Sequence, residues 1–224
     1  VPALVIITSF TWIKVFMGQT KRGVGRPRAV LSKTHLSTRE DILIKSSALF
    51  AKHGFKATTT RMIAESVGIR QPSLFNHFRK KGDILEALVS EAGKELFEYL
   101  ENLGHSFDDA ESVLFDLVIF DVTFLMVEPF QINKIMGLPE VNNGPLRKKI
   151  DDRQGFAFGC YRRVIQAGVD SKVFDVEDVD LATHTIMGME EAIWSWYDRS
   201  SMNIQPEVQA KKIARMVINS LKSH

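Results

Sequence analysis

Residues 58–81 read TTTRMIAESVGIRQPSLFNHFRKK, and the spacing within this stretch decides the fold. Thr58, Thr59 and Thr60 offer hydroxyls for a helix N-cap, and Ile63, Ala64 and Val67 give that helix a short apolar face ending at Gly68. After the Gly68-Ile69 turn, Pro72 fits the first turn of another helix, where an N–H has no intrahelical acceptor. Leu74, Phe75 and Phe78 are expected on its inward side. Two short helices around a glycine turn predict a helix-turn-helix, whose second helix must be narrow and polar outside to enter a major groove. Arg70, Gln71, Ser73, Asn76 and His77 form that outer face. Arg and Gln pair bidentately with base edges, while Ser, Asn and His also hold phosphates. A merely solvated helix would interleave acids with its bases, yet Glu65 is the only acid between Arg61 and Lys81.

Upstream, Ser37-Thr38-Arg39-Glu40 has the capping-box arrangement and predicts a first helix. Its apolar stripe is Ile42, Ser46, Leu49, Phe50 and His53, and Gly54 closes it. Residues 17–33 are basic, glycine-rich and aperiodic, which predicts an arm that cannot pack a core. Within it Arg26 and Arg28 flank Pro27 on a stiff extended backbone, a shape that suits either a narrow minor groove or nonspecific phosphate attraction. The first sixteen residues, VPALVIITSFTWIKVF, carry their only charge at Lys14. A secretory signal needs its positive residues before the apolar run, and a membrane span needs about 20 apolar residues. They read instead as an upstream translated segment or an over-long start, with a polar start at Met17.

The net charge of +2 over 224 residues conceals a division at Lys81. From Met17 to Lys81 there are 14 Lys and Arg against 3 Asp and Glu, or +11; from Gly82 to His224 there are 14 against 24, or −10. A basic head on an acidic body predicts that the first meets a polyanion and the second has another task. With 45% apolar and 25% charged residues the chain can bury a core unaided, and its composition excludes collagen-like, wholly disordered and multi-spanning classes. Cys160 is the only cysteine, so no intrachain disulfide forms and a reducing cytoplasm is the simplest compartment.

Ala48-Leu49-Phe50, Gly54-Phe55, Ala57-Thr58-Thr59, Ile63-Ala64, Val67-Gly68-Ile69, Leu74-Phe75-Asn76-His77-Phe78, and Lys81 before Leu85 make a set in which turn, aromatic and lysine spacings agree. On these residues the segment from Ser37 to Leu88 resembles the N-terminal domain of the TetR family of bacterial one-component transcriptional regulators. The resemblance implies phosphate contacts by Thr60, His77 and Lys81; Arg61 is a further DNA-binding candidate. Phe75 stands where the family usually has tyrosine, which removes a phosphate hydrogen bond and leaves a ring to stack on sugar or fill the core. Arg70 occupies a position commonly Ser or Thr, which removes a side-chain N-cap and adds a base reader.

Beyond Lys81 the sequence reads as all-α. Ile84, Leu85, Leu88, Ala92, Leu96, Tyr99 and Leu103 keep helical period and predict one long linking helix. Further helices are expected at about Ala110 to Val127, Arg147 to Ala167, Val179 to Asp198 and Glu207 to Leu221, with breaks at Pro129, Pro139, Gly144-Pro145, Gly168 and Pro206. The expected domains are therefore an extension and arm at 1–36, a three-helix DNA-binding domain at 37–82, and a larger helical ligand-binding and dimerisation domain at 83–224.

The central helices are rich in Met, Phe and Trp. Leu117, Val118, Leu125, Phe156, Met187 and Trp194 suit either plain core or the wall of a cavity opened by Gly155, Gly159 and Gly188. Asp121 shares a face with Leu114, Leu117 and Val118 and suits a pocket hydrogen-bonding group or half of an ion pair. Cys160, Tyr161, His184 and Glu190 are the remaining pocket candidates. The resemblance implies a small apolar or amphipathic effector, and Arg147-Lys148-Lys149 and Arg162-Arg163 could draw an acyl-CoA or carboxylate. It also implies a homodimer through the last two long helices, which would set recognition helices about 34–36 Å apart on double-stranded DNA.

The function expected is a sequence-specific DNA-binding transcriptional regulator, a ligand-released repressor acting as a dimer on a pseudo-palindromic operator. The alternative is an architectural DNA-binding protein without an inducer. An enzyme is not expected: there is no phosphate-cradling glycine loop and no Cys/His metal spacing, so neither metal nor cofactor is called for. His105, Asp108 and Asp109 suit a metal cluster less well than a polar loop capping the next helix.

Overall fold

In a computed structural model of the chain, residues 37–197 and 204–222 are described, and they contain helices and no strands. Arg26, Arg28 and the proposed start at Met17 lie outside the described residues. Helix α1 (Thr38–His53) opens on a capping box: the Ser37 hydroxyl accepts from the Glu40 N–H at 3.3 Å, and the Glu40 carboxylate accepts from the Ser37 N–H at 2.7 Å. Its buried side chains are Ile42, Leu43, Ser46, Ser47 and Phe50. His53 is exposed instead of continuing the stripe, because the buried face is centred nearer Leu43.

Helix α2 (Thr60–Val67) is capped by Thr59, whose hydroxyl accepts from the Met62 N–H at 3.1 Å. Thr58 is buried and donates to the Gly54 carbonyl at 2.8 Å, fixing the loop between α1 and α2. Gly68 takes φ 78°, which lets the Ile69 N–H reach back to the Ala64 carbonyl at 3.0 Å and turns the chain. Helix α3 (Gln71–His77) starts with Pro72 in its first turn and with Arg70 at the N-cap making no side-chain cap bond. Leu74 and Phe78, four residues apart, are buried; Phe75 is 43% exposed and leaves the inward face to them.

The long linking helix divides. Helix α4 (Lys81–Glu91) ends at Ala92, Gly93 takes φ 72°, and α5 (Lys94–Glu101) begins anew. Periodicity in the apolar residues survives the interruption, so the break is invisible in the pattern and is carried by the glycine. Helix α6 (Ala110–Val127) has the expected bounds, with the Asp109 carboxylate accepting from the Ser112 N–H at 2.9 Å as its cap. Two short helices not expected from periodicity follow, α7 (Ile132–Met136) and α8 (Pro139–Asn142). Glu128 holds the bend before them by accepting from the Phe130 and Ile132 N–H groups at 2.7 and 2.8 Å.

Helix α9 (Pro145–Asp170) runs through Gly168 without breaking there. That glycine is buried against Phe174, whose ring occupies the space a Cβ would need. Helix α10 (Val179–Glu191) stops before the expected 198, and a separate turn α11 (Ile193–Trp196) follows Ala192. Helix α12 (Pro206–Ser220) completes the described chain. Pro139, Pro145 and Pro206 each sit in the first turn of a helix, where proline is tolerated.

Two apolar clusters organise these helices. The first joins Ile42, Phe50, Ile63, Leu74 and Phe78 to Ile84, Leu85 and Leu88 of α4, and is completed by Phe130, Ile132, Ile135 and Val141 around α7 and α8. The second centres on α6, whose Leu114, Leu117, Val118 and Val122 are fully buried among α9, α10 and α12. The α4–α5 break lies where the two meet.

Candidate nucleic-acid interface and effector cavity

The face expected to meet DNA is built on α2 and α3. Gln71, Phe75, Asn76 and His77 of α3 are exposed, as are Arg61 and Arg70, while Ser73 and Thr60 are half-buried. Gln71 Nε2 donates to Thr60 Oγ1 at 2.8 Å and so links the first residue of α3 to the start of α2. The Arg61 guanidinium pairs with Glu65 at 2.8 Å, a fully exposed i,i+4 contact easily exchanged for a phosphate. Lys81, for which the resemblance implies a phosphate contact, is hydrogen-bonded to backbone in the fold. Its Nζ donates to the carbonyls of Phe55 and Lys56 and, at 2.7 Å, of Thr58, and it stands 4.3 Å from the Phe55 ring centroid. The lysine thus ties the α1–α2 loop to the start of α4, and its ammonium is already engaged by backbone.

Behind this head lies a cavity of about 330 Å³ bounded by the α4–α5 break, α6, α7, α9, α10 and α11. Of the residues expected there, Asp121, Leu125, Met187, Glu190 and Trp194 line it. Tyr161 stands directly behind the wall, fully buried, with its hydroxyl 3.1 Å from Asp121 Oδ2 and 2.9 Å from Glu190 Oε1. Leu117, Val118 and Cys160 belong instead to the packed core, facing neighbouring helices and not the cavity. Phe156 and His184 point outward: Phe156 is 40% exposed beside Phe97, and His184 is exposed with its ring 4.5 Å from that of Phe158. Gly155 and Gly188 are exposed and Gly159 is half-buried, so none of the three opens the cavity.

Burial pushes the Asp121 carboxyl up to about 6 and raises Glu190 well above the ordinary carboxylate range, the neighbouring acid adding to the effect on Glu190. The Tyr161 phenol is raised by burial and by both carboxyls, so it stays protonated. Glu190 Oε2 and the Trp194 indole nitrogen are buried atoms without a hydrogen-bond partner among the described residues.

One cavity residue escaped the sequence reading. Arg153 of α9 lines the cavity and donates to the carbonyls of Val89, Ser90 and Ala92 at 2.8–2.9 Å, closing the C-terminal end of α4. Its guanidinium also lies 5.0 Å from the Phe97 ring centroid. The available signal was a charge on an inward stripe, since Ile150, Arg153, Ala157 and Tyr161 recur at helical spacing.

A basic helix-turn-helix head joined to an all-helical body with an internal cavity defines a DNA-binding transcriptional regulator. The family model of bacterial regulatory proteins, tetR family, matches residues 42–88, and the model of the tetracyclin repressor-like C-terminal domain matches residues 140–221. The chain belongs to the TetR family. It is 28% identical over 172 residues to the HTH-type transcriptional repressor KstR2 of Mycolicibacterium smegmatis, covering 72% of this chain and 80% of that relative. Among solved structures, AmtR of Mycobacterium smegmatis superposes with TM-score 0.71 at 28% identity, over 87% of this chain and 91% of that one. AibR, solved in complex with isovaleryl coenzyme A and operator DNA, shares the fold with TM-score 0.63 at 18% identity, over 83% of this chain and 98% of its own. Among the described residues no helix is long and apolar enough to cross a membrane.

Proposed function

We propose that this chain is a ligand-released repressor, acting in the cytoplasm as a homodimer on a pseudo-palindromic operator. Its domains are taken as 37–82 for DNA and 83–224 for effector and partner. The observation that carries the reading is that Ala92, Gly93 and Arg153, the parts that end α4, are themselves walls of the cavity. A ligand there meets the lever that aims the recognition helix. It releases DNA only by binding better to the state whose heads are wrongly spaced, since equal affinity for both states shifts nothing. The named relative's role as a repressor supports repression.

Base reading is assigned to Arg70 and Gln71, and phosphate contact to Thr60, Arg61, Ser73, Asn76 and His77, with Phe75 exposed to stack on sugar. Arg26 and Arg28 are proposed to add minor-groove contact. Dimerisation is assigned to α10 and α12, which expose Leu181, Thr185 and Gly188 on one and Val208 and Met216 on the other. The isovaleryl coenzyme A bound by AibR supports an acyl-CoA or another small amphipathic molecule as effector class.

The test is selection of bound sequences from a random DNA library. A two-fold symmetric consensus with half-site centres about one helical turn apart is expected. A monomer without sequence preference overturns the reading and favours an architectural role.

A further inference from the structure

The effector cavity has an unbalanced charge. Its walls are largely apolar and aromatic, with Leu96, Phe97, Phe124 and Trp194 among them. At one end Asp121 of α6 and Glu190 of α10 meet around the Tyr161 hydroxyl, 8% and 1% exposed. Among the described residues neither carboxyl has a Lys, Arg or His at ion-pair distance. The two cavity-lining bases are engaged elsewhere: Arg153 on the α4 carbonyls, Arg147 on Asp151 at 2.8 Å. A third acid, Glu191, also lines the cavity without an ion pair among the described residues.

Two buried carboxyls on one phenol, each raised by burial, favour a shared proton over double ionisation. Glu190 Oε2 has no hydrogen-bond donor among the described residues. A ligand with a fixed positive charge would satisfy both acids at once, and the Trp194 ring in the wall suits a cation over an aromatic face.

We propose that the cavity takes a small lipophilic monocation, an organic amine or quaternary ammonium ion, with its charge seated between Asp121 and Glu190 and its apolar body along Leu96, Phe97 and Phe124. This rests on the ligand-released reading and names the ligand of that same cavity. It departs from the acyl-CoA class, whose phosphates would bring negative charge beside Asp121 and Glu190. Binding exchanges cation for proton. The titratable groups acting on the pair are Tyr161 from α9 and Glu191 from α10, Arg153 of α9 lines the same cavity on the α4 carbonyls, and α12 buries Ala210, Ile213, Ala214, Val217 and Ile218. Of these, the phenol stays protonated and the guanidinium stays charged, so the released proton comes from the acid pair.

The experiment is calorimetric titration of the full chain with four ten-carbon probes: decyltrimethylammonium, decan-1-ol, decanoate and decanoyl-CoA. The cation is expected to bind at least about tenfold more tightly than the alcohol or the carboxylate. Its affinity should rise with pH by up to about tenfold per unit where one proton is displaced, with a heat that follows the ionisation enthalpy of the buffer. Asp121→Asn and Glu190→Gln should each remove the preference for the cation while retaining decan-1-ol binding, which also reports that the variants are folded. Equal or tighter binding of the alcohol, carboxylate or thioester, binding of none of the four, or an undiminished cation preference in both variants overturns the assignment. Operator binding and release are scored separately on the same samples. A chain released from its operator by decanoyl-CoA but not by the cation keeps the repressor reading and loses this one.

Discussion

Gln71 and Lys81, ten residues apart in one basic segment, have different work to do. Gln71 is exposed at the start of α3, and its side-chain amide donates to the Thr60 hydroxyl, so on the proposed reading its carboxamide oxygen is the group that meets a base edge. Gln71→Ala is expected to relax preference at one operator position by about 1–3 kcal/mol, read as a change in the ratio of cognate to mismatched affinities. Lys81 is the opposite case. Its ammonium already serves loop carbonyls, so Lys81→Met leaves Phe55, Lys56 and Thr58 without their donor and should cost about 1.5–3 kcal/mol of folding stability. Thermal melts without DNA check this: an unchanged Tm, with only a shallower salt dependence of binding, would return Lys81 to the role of a plain phosphate contact.

At the scale of elements the decisive feature is the α4–α5 break. A left-handed residue at Gly93 ends the helix where α4 reaches the body, and the orphan carbonyls that result are taken by a side chain from α9. Arg153 can make these contacts because its planar fork presents several donors at once, which a lysine point charge cannot. Arg153→Gln is expected to let α4 move independently of the cavity, lowering operator affinity of the ligand-free protein by about tenfold and weakening the response to any effector. Titration of operator DNA with and without effector measures both. Retention of full affinity and full release would remove Arg153 from the coupling.

Across the whole molecule, the buried acid pair makes stability depend on pH. Asp121 titrates near 3.8 in an unfolded chain and at about 6 in the fold, and Glu190 is raised further from its ordinary 4.5. A carboxyl whose folded value is raised holds its proton more tightly when folded, so its contribution is complete below about 4 and is lost as pH climbs through 6. Melting temperature should therefore fall as pH rises from about 4 through 6, and Asp121→Asn should flatten the slope over that range. A profile identical to that of the variant would show that the pair carries no linked proton. The same proton is what a cationic effector would replace, so bound cation should restore stability most at high pH.

Much of this architecture was legible before any coordinates. The capping box at Ser37, the Gly68 turn, Pro72 in the first turn of α3 and the bounds of α6 depend on residues within four or five positions of one another, a range that caps and periodicity report directly. The charge division between head and body is likewise a property of the string of residues. Tertiary structure alone decided the rest. Tyr161 meets Asp121 across 40 positions and Glu190 across 29, and Arg153 reaches back 61 to 64 positions to α4. Whether an inward residue becomes core, as Leu117 did, or cavity wall, as Leu125 did, depends on which helix packs opposite it. Local periodicity states that a side chain turns inward; only the meeting of distant helices settles what it finds there.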